Sequence, residues 1–192
     1  MQPMSWKEML ALVGTMPASA LTEDALYQLV QRLEIDCALM APYIQFTTDR
    51  YARNVLYRDD KFEAICLCWE PGQGTAVHNH GGSYGVVFVF EGALTVDCYT
   101  RTDDGSVPGQ AELQNVVTVE CPQGTLLLDR VGSTHRLVNR GDRKAISLHF
   151  YAGPLDTMEL FDLETGRIET KAMQGEPMAY VEPAADVMAA MI

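Results

Sequence analysis

The sequence predicts a mainly β protein with α-helices at its N-terminus. Between about Thr47 and Tyr151, short runs rich in Val, Ile, Phe, Tyr and Leu alternate with Gly, Asp and Pro clusters, such as the stretch from Asp103 to Gly105. These clusters are typical of turns. No helical pattern interrupts the region, and many short strands joined by turns are typical of a sandwich or a barrel.

Two helices are expected before this region. The first is predicted to begin after Ser5, because Ser5 and Glu8 have the spacing of a capping box. Apolar residues then recur at helical intervals, at Trp6, Met9, Leu10 and Val13. The second is predicted to begin after Thr22, because Glu23 and Asp24 would lie in its first turn, where the helix dipole favours acids.

The strands can be placed from the apolar runs. They are predicted at Arg53–Tyr57, Phe62–Trp69, Gly85–Phe90, Leu94–Tyr99, Val116–Val119, Thr125–Leu128, His135–Val138 and Ala145–Tyr151. A further hairpin is predicted from Glu159–Asp162 and Arg167–Thr170, and Glu182–Ile192 is expected to be a short helix or a frayed tail. We therefore expect a single domain over 1–192, with a helical segment at 1–46, a β core at 47–151 and a C-terminal hairpin and tail at 152–192.

Composition excludes several classes of function. The 192 residues carry 14 Lys and Arg against 26 Asp and Glu, a formal net charge of −12, which repels a nucleic-acid backbone. No apolar stretch approaches the roughly 20 residues of a membrane span, and the N-terminus does not resemble a signal peptide. The odd count of five cysteines fits reduced thiols in a cytoplasm. Cys66 and Cys68, two apart on a predicted strand, are expected to be small core residues.

The four histidines are the most informative residues. His78 and His80 are two apart on a strand or at its edge, which places both imidazoles on one face. Two neighbouring imidazoles are a poor choice for an apolar core, because each has ring nitrogens that need partners. They suit a divalent metal such as Fe, Zn, Cu or Ni.

The residues around these histidines resemble the two motifs of the cupin superfamily. Gly72, His78, His80 and Gly92 have the spacing of the first motif, with Gly85 where the family usually has a Glu ligand. Gly124, Gly132, His135 and Asn139 match the second, with Arg130 in place of Pro. The resemblance implies a cupin barrel, a double-stranded β-helix or jelly roll, with the N-terminal helices packed outside. The site would then offer three neutral ligands and no carboxylate.

A narrower resemblance covers about Tyr51 to Asp156. The segments Tyr51-Ala52-Arg53-Asn54, Cys66-Leu67-Cys68-Trp69, His78-Asn79-His80, His135-Arg136 and Ser147-Leu148-His149-Phe150-Tyr151 resemble cysteine dioxygenase, in the order of that family. In that family the barrel holds Fe(II) through three His. L-cysteine binds through its thiolate and amine, and both atoms of O2 are added to sulfur to give cysteine sulfinic acid.

The resemblance implies a role for each matching residue. His78, His80 and His135 would be the Fe(2+) ligands, and Arg53 would pair with the substrate carboxylate, supported by Tyr51. Tyr151 would place its hydroxyl near the metal, oriented by a relay through His149 and Ser147. These three alternate along one strand and so share a face. In mammalian members a cysteine at the position of Gly85 is crosslinked to the matching tyrosine; glycine cannot make that bond, so we expect an uncrosslinked Tyr151 as in bacterial-type members.

Two alternatives stay open from the residues alone. One is a dioxygenase of 3-mercaptopropionate, although Arg53 in its Tyr-x-Arg-Asn context favours cysteine. The other is a metal-binding cupin without oxygenase activity, such as an isomerase or hydrolase, or a cupin that only binds a small ligand. As partners we expect only the thiol substrate and O2, with no nucleic acid and no membrane, in a cytoplasmic monomer.

Overall fold

The computed structural model describes residues 2–173, which form two antiparallel β-sheets and three α-helices. The five-stranded sheet has the order β1-β2-β9-β4-β7 and the six-stranded sheet the order β11-β10-β3-β8-β5-β6. The strands are β1 (Ala52–Arg58), β2 (Phe62–Trp69), β3 (Val77–Asn79), β4 (Tyr84–Glu91), β5 (Ala93–Arg101), β6 (Leu113–Pro122), β7 (Leu126–Asp129), β8 (Thr134–Val138), β9 (Ala145–Ala152), β10 (Thr157–Phe161) and β11 (Ile168–Ala172).

The helices precede the strands, as predicted. They are α1 (Trp6–Thr15), α2 (Glu23–Arg32) and α3 (Cys37–Met40), with single 3₁₀ turns at Ala18–Ala20 and Ala41–Tyr43. Ser5 and Glu8 form the predicted capping box, in which the Ser5 amide donates to Glu8 Oε2 over 2.7 Å. Thr22 caps α2 by accepting from the Ala25 amide over 3.2 Å. Within the described residues, no helix has the length and apolar character that a bilayer crossing requires.

Strands β2 and β9 of the five-stranded sheet are buried on both faces, and this separates their residues into two sets. Ile146, Leu148 and Phe150 of β9 pack in the core beneath the helices. Tyr151 belongs to the second core, which lies between the two sheets. Because side chains alternate along a strand, Ser147 and His149 point into the barrel with Tyr151. The side chains of β2 likewise alternate between the helix side of the sheet and the barrel interior.

Cys66 and Cys68 are fully buried on the helix side of β2, which confirms them as core residues. Burial on both faces explains why β2 reads as a nearly continuous apolar run, Phe62–Trp69, rather than as an alternating one. Glu63 is the charged exception in this run and is fully buried. It faces the barrel interior, since it alternates with Phe62 and Ala64.

The predicted strands are present with small shifts of their ends. Strand β3 is not among the placed strands; of those that are, β6 differs most, extending over Leu113–Pro122 rather than Val116–Val119. Most of β6 is exposed and lies at the edge of its sheet, so its flanking polar residues give no burial signal. The C-terminal hairpin is formed by β10 and β11. The expectation for Glu182–Ile192 lies outside the described residues, and the division at residues 46 and 151 stays a prediction.

Candidate metal centre and adjoining cavity

Three histidines converge inside the barrel. His78 on β3 and His135 on β8 are direct cross-strand partners, and His80 follows one residue after the end of β3. The Nε2 atoms of His78 and His80 are 3.2 Å apart, and one ring nitrogen from each of the three lies within 4.8 Å of the others. All three residues are buried. The structure therefore brings together the three histidines singled out in the sequence.

The outward nitrogens of these rings face oxygen atoms. His78 Nδ1 donates to the Ala76 carbonyl oxygen over 2.9 Å. His80 Nδ1 lies 2.6 Å from Asp129 Oδ2, and His135 Nδ1 lies 3.4 Å from Asp129 Oδ1. With their protons on Nδ1, the rings of His78 and His80 turn two lone pairs toward each other. Such a pair of Nε2 atoms is stabilised by a cation between them, so the residues present fit a divalent metal.

Burial sets the protonation of this cluster. It lowers the pKa of His78 to about 3, with His80 adding to the effect. Burial likewise lowers the pKa of His80 to about 4 and that of His135 to about 3. The imidazoles are therefore neutral near pH 7, as metal ligation requires. Burial also raises the pKa of Asp129 to about 6, against the opposing effect of His135.

A chain of hydrogen bonds runs along β9 to the same centre. Ser147 Oγ and His149 Nε2 are 2.8 Å apart, and His149 Nδ1 and the Tyr151 hydroxyl are 3.1 Å apart. All three residues are buried. The Tyr151 ring lies against His80, with ring centroids 5.2 Å apart. The relay predicted from alternation on one strand is present as a continuous chain.

Trp69 at the end of β2 determines the direction of this chain. Its indole N–H can only donate, and it donates to Ser147 Oγ over 2.9 Å. Among the described contacts of Ser147 Oγ, only His149 Nε2 can accept the hydroxyl proton; with this buried donor satisfied, the neutral His149 carries its proton on Nδ1 and donates to the Tyr151 oxygen. Burial lowers the pKa of His149 well below its usual value and raises that of Tyr151 well above it. Tyr151 thus keeps its own proton and presents it to the cavity.

Arg53 extends from β1 into the barrel, where only 10% of its side chain is exposed. Its Nη2 donates to Glu63 Oε1 over 2.6 Å. Tyr51 stacks on Trp69, with ring centroids 4.6 Å apart and an angle of 28° between the planes. Both residues are half-buried on one wall, although an arginine alone would ordinarily be a surface side chain.

A single cavity connects these residues. Its lining includes the predicted site residues Tyr51, Arg53, His78, His80, His135, His149 and Tyr151. Ser147 is the one predicted site residue that does not line it, because it sits behind His149. Apolar side chains complete the wall: Ile65, Leu67, Leu137, Leu155, Met158 and Met173. The cavity therefore combines metal ligands, a cation and a protonated hydroxyl in an apolar shell.

Gly85 on β4 is the direct cross-strand partner of Tyr151. A Cβ atom at this position would lie 2.7 Å from Tyr151 Cδ1 and 2.8 Å from the Phe150 carbonyl oxygen. Both distances are shorter than real Cβ contacts, so glycine is what allows the Tyr151 ring to lie where it does. Glycine has no side chain that could bond to the ring, and the uncrosslinked state of Tyr151 stays a prediction.

Sequence reasoning missed three residues at this site. Asp129 follows the apolar residues Leu126–Leu128, and Glu63 is the lone acid in the buried run of β2. An isolated acid within an apolar run was a signal that could have identified both, because a buried carboxylate needs a partner. Trp69 carried no such signal, since a buried tryptophan is ordinary.

Comparison with known proteins agrees with this geometry. Residues 8–164 match the family described as cysteine dioxygenase type I. The chain is 30% identical over 140 residues to cysteine dioxygenase type 1 of Homo sapiens, covering 72% of this chain and 68% of the human protein. It is 30% identical over 139 residues to the Rattus norvegicus protein, covering 71% of this chain and 68% of the rat protein.

Solved structures support the fold. A Klebsiella pneumoniae protein with a double-stranded β-helix domain matches with a TM-score of 0.50 and 16% identity, covering 64% of this chain and 94% of that one. At this identity the match speaks only to the fold. It confirms the mainly β, double-stranded β-helix class, to which this chain adds helices on the outer face of one sheet.

Proposed function

Because the chain belongs to the cysteine dioxygenase type I family, we propose that it oxidises L-cysteine with O2 to cysteine sulfinic acid. Both oxygen atoms go to the sulfur, so the reaction balances without a further reductant. The observation that carries the proposal is the single cavity in which three neutral imidazoles, Arg53 and the Tyr151 hydroxyl meet. These groups match the metal-binding, carboxylate-binding and proton-donating needs of the reaction.

The resident metal is proposed to be Fe(2+), held by His78, His80 and His135. Three neutral ligands leave the ion its full charge and leave coordination positions open for other groups. When bound, iron would supply the redox chemistry that lets O2 react with a thiolate. The Asp129 carboxylate lies 2.6 Å from the outward nitrogen of His80, where it would orient that ligand.

Arg53 would bind the substrate carboxylate. A guanidinium suits this task because it is planar, carries several N–H donors and does not lose its charge. Tyr51 bounds the same end of the cavity, where it is itself held by stacking on Trp69. The apolar walls exclude water and so strengthen the attraction between guanidinium and carboxylate.

Tyr151 would donate a hydrogen bond from its hydroxyl to the reacting sulfur or oxygen atoms. Burial keeps that proton in place by raising the pKa of Tyr151. The His149 N–H donated to the Tyr151 oxygen fixes the hydroxyl group, and Ser147 in turn fixes His149. Tyr151 is thus preorganised before substrate enters.

We also propose that the protein is located in the cytoplasm. All five cysteines, Cys37, Cys66, Cys68, Cys98 and Cys121, are free thiols. Free thiols fit a reducing compartment. The monomeric state stays a prediction.

Substrate choice can be tested with Arg53→Ala. We expect this variant to lose roughly 2–5 kcal/mol in kcat/KM for L-cysteine, the cost of removing one member of a buried charge pair. Arg140→Ala is the control, because Arg140 pairs with Asp97 and neither residue lines the cavity. An unchanged kcat/KM in Arg53→Ala, or a preference of the unmodified protein for 3-mercaptopropionate, would overturn the assignment of L-cysteine.

A further inference from the structure

Glu63 is a fully buried carboxylate directly behind the cavity wall. Burying a carboxylate costs several kcal/mol unless its charge is compensated. Here Oε1 accepts from Arg53 Nη2 over 2.6 Å and from Arg58 Nη1 over 3.0 Å, while Oε2 accepts from the Leu155 amide over 3.0 Å. Glu63 does not itself line the described cavity, whereas Arg53 and Leu155 both do.

The strand register shows what this contact does to Arg53. The backbone of Arg53 pairs with Leu67, and the backbone of Glu63 pairs with Arg58. Glu63 therefore lies four residues from Leu67 along β2, a distance of about 13 Å at the usual strand rise. The Arg53 side chain must run lengthwise along the inner face of the sheet to reach it. On the other side of β2, Glu63 pairs with Tyr151, so the guanidinium is drawn toward the level of the Tyr151 side chain.

We propose that Glu63 is a positioning residue that sets the place of the Arg53 guanidinium, and thereby the distance from the metal at which the substrate carboxylate is held. This rests on the proposed function, in which Arg53 binds that carboxylate. The hydrogen bond from the Leu155 amide also links Glu63 to the loop that closes this end of the cavity. An arginine with nearly free rotation about its side chain would bind a carboxylate with less precision.

The charges around Glu63 support positioning rather than mere neutralisation. Arg58 also bonds Asp156, and 57% of the Asp156 side chain is exposed. Arg58 thus pairs with a second carboxylate, which is solvent-exposed, and the compensation of its charge does not depend on Glu63 alone. The Arg53 side chain is only 10% exposed, and its ion pair with Glu63 lies inside the barrel.

The test compares Glu63→Gln with Asp156→Asn. Both changes remove one negative charge from the same cluster, but the first replaces the carboxylate that accepts from Arg53 Nη2, and the second replaces the carboxylate that accepts from Arg58 Nη2. For metal-loaded protein we expect Glu63→Gln to raise KM for L-cysteine about tenfold, with a much smaller change in kcat. A tenfold change corresponds to the free energy of about one charge-assisted hydrogen bond. Asp156→Asn should leave both constants near those of the unmodified protein.

Cysteamine, which lacks the carboxylate, gives a second readout. Its binding should be the same in Glu63→Gln and in the unmodified protein, since it cannot use Arg53. A purely structural role for Glu63 would weaken both thiols alike and overturn the proposal. Tighter binding of L-cysteine in Glu63→Gln would also overturn it, by showing that Glu63 competes with the substrate for Arg53.

Equilibrium binding separates this inference from the proposed function. If the unmodified protein does not oxidise L-cysteine, the proposed function fails, yet anaerobic calorimetry with L-cysteine and cysteamine still decides the role of Glu63. Should Glu63→Gln fail to fold, Glu63→Asp keeps the charge and shortens the anchor by one methylene. That variant is expected to raise the dissociation constant of L-cysteine but not that of cysteamine, and equal constants for L-cysteine would contradict the proposal.

Discussion

The indole N–H of Trp69 donates to Ser147 Oγ over 2.9 Å, across two adjacent strands of the five-stranded sheet. An indole cannot accept, so among the described contacts of Ser147 Oγ only His149 Nε2 can accept the hydroxyl proton, and satisfying this buried donor orders the protons of the later members. Ser147 donates to His149, and His149 donates to Tyr151. The Tyr151 proton is therefore available to the cavity rather than engaged by the relay.

Trp69→Phe removes this donor and allows the relay to reverse. We expect the His149 proton to shift toward Nε2, and kcat to fall by several-fold while metal content is kept. Nitrogen NMR of labelled histidine measures the tautomer directly. Trp6→Phe is the matched control, since Trp6 lies in the helix-side core and its Nε1 makes no hydrogen bond within the described residues. An unchanged His149 tautomer in Trp69→Phe would contradict the assigned direction.

Tyr151→Phe removes the hydroxyl and keeps the ring. Metal content should be unchanged, because Tyr151 is not one of the three clustered ligands. The yield of sulfinate per O2 consumed should fall, because the positioned proton is lost. Tyr57→Phe is the control, since it loses a hydroxyl bond to Asp59 outside the cavity lining. Loss of metal in Tyr151→Phe would mean that this residue has another role.

Gly85→Ala tests the packing of Tyr151. The added Cβ would lie 2.7 Å from Tyr151 Cδ1 and 2.8 Å from the Phe150 carbonyl oxygen, so the ring or the strand must shift. Overpacking of this kind typically costs about 1–3 kcal/mol of stability. We expect denaturant unfolding to show that loss and kcat to fall with it. Gly14→Ala is the control, because nothing lies within 4 Å of a Cβ there. Equal stability and kcat in Gly85→Ala would show that the site tolerates a side chain.

The sequence was sufficient for the parts of the site that follow strand periodicity. Ser147, His149 and Tyr151 alternate on β9, so their common face follows from their spacing alone. The buried acids could not be placed in this way. Asp129 meets His80 across the barrel, and Arg53 reaches Glu63 several residues along the sheet, so both contacts depend on how distant strands pair. The extent of β6 was also underestimated, because its exposed faces give no apolar pattern.

Asp129→Asn tests the carboxylate that lies beside the outward nitrogens of His80 and His135. Substituting such a partner typically weakens metal binding about 10–100-fold, and we expect a loss in that range. Competition titration of Fe(II), or of Zn(II) as a redox-silent probe, measures the affinity without relying on turnover. Asp97→Asn is the control, since Asp97 is an equally buried acid that pairs with Arg136 and Arg140 instead. If Asp129→Asn bound the metal as tightly as the unmodified protein, Asp129 would have no role in the metal site.

The central claim is that this cavity adds both atoms of O2 to the sulfur of L-cysteine. Its most direct test is consumption of isotopically labelled O2 by Fe(II)-loaded protein, with the product identified by mass. The account predicts one O2 consumed for each cysteine and a sulfinic acid that carries both labelled oxygen atoms. Formation of cystine, a product with unlabelled oxygen, or no uptake by iron-replete protein would contradict it.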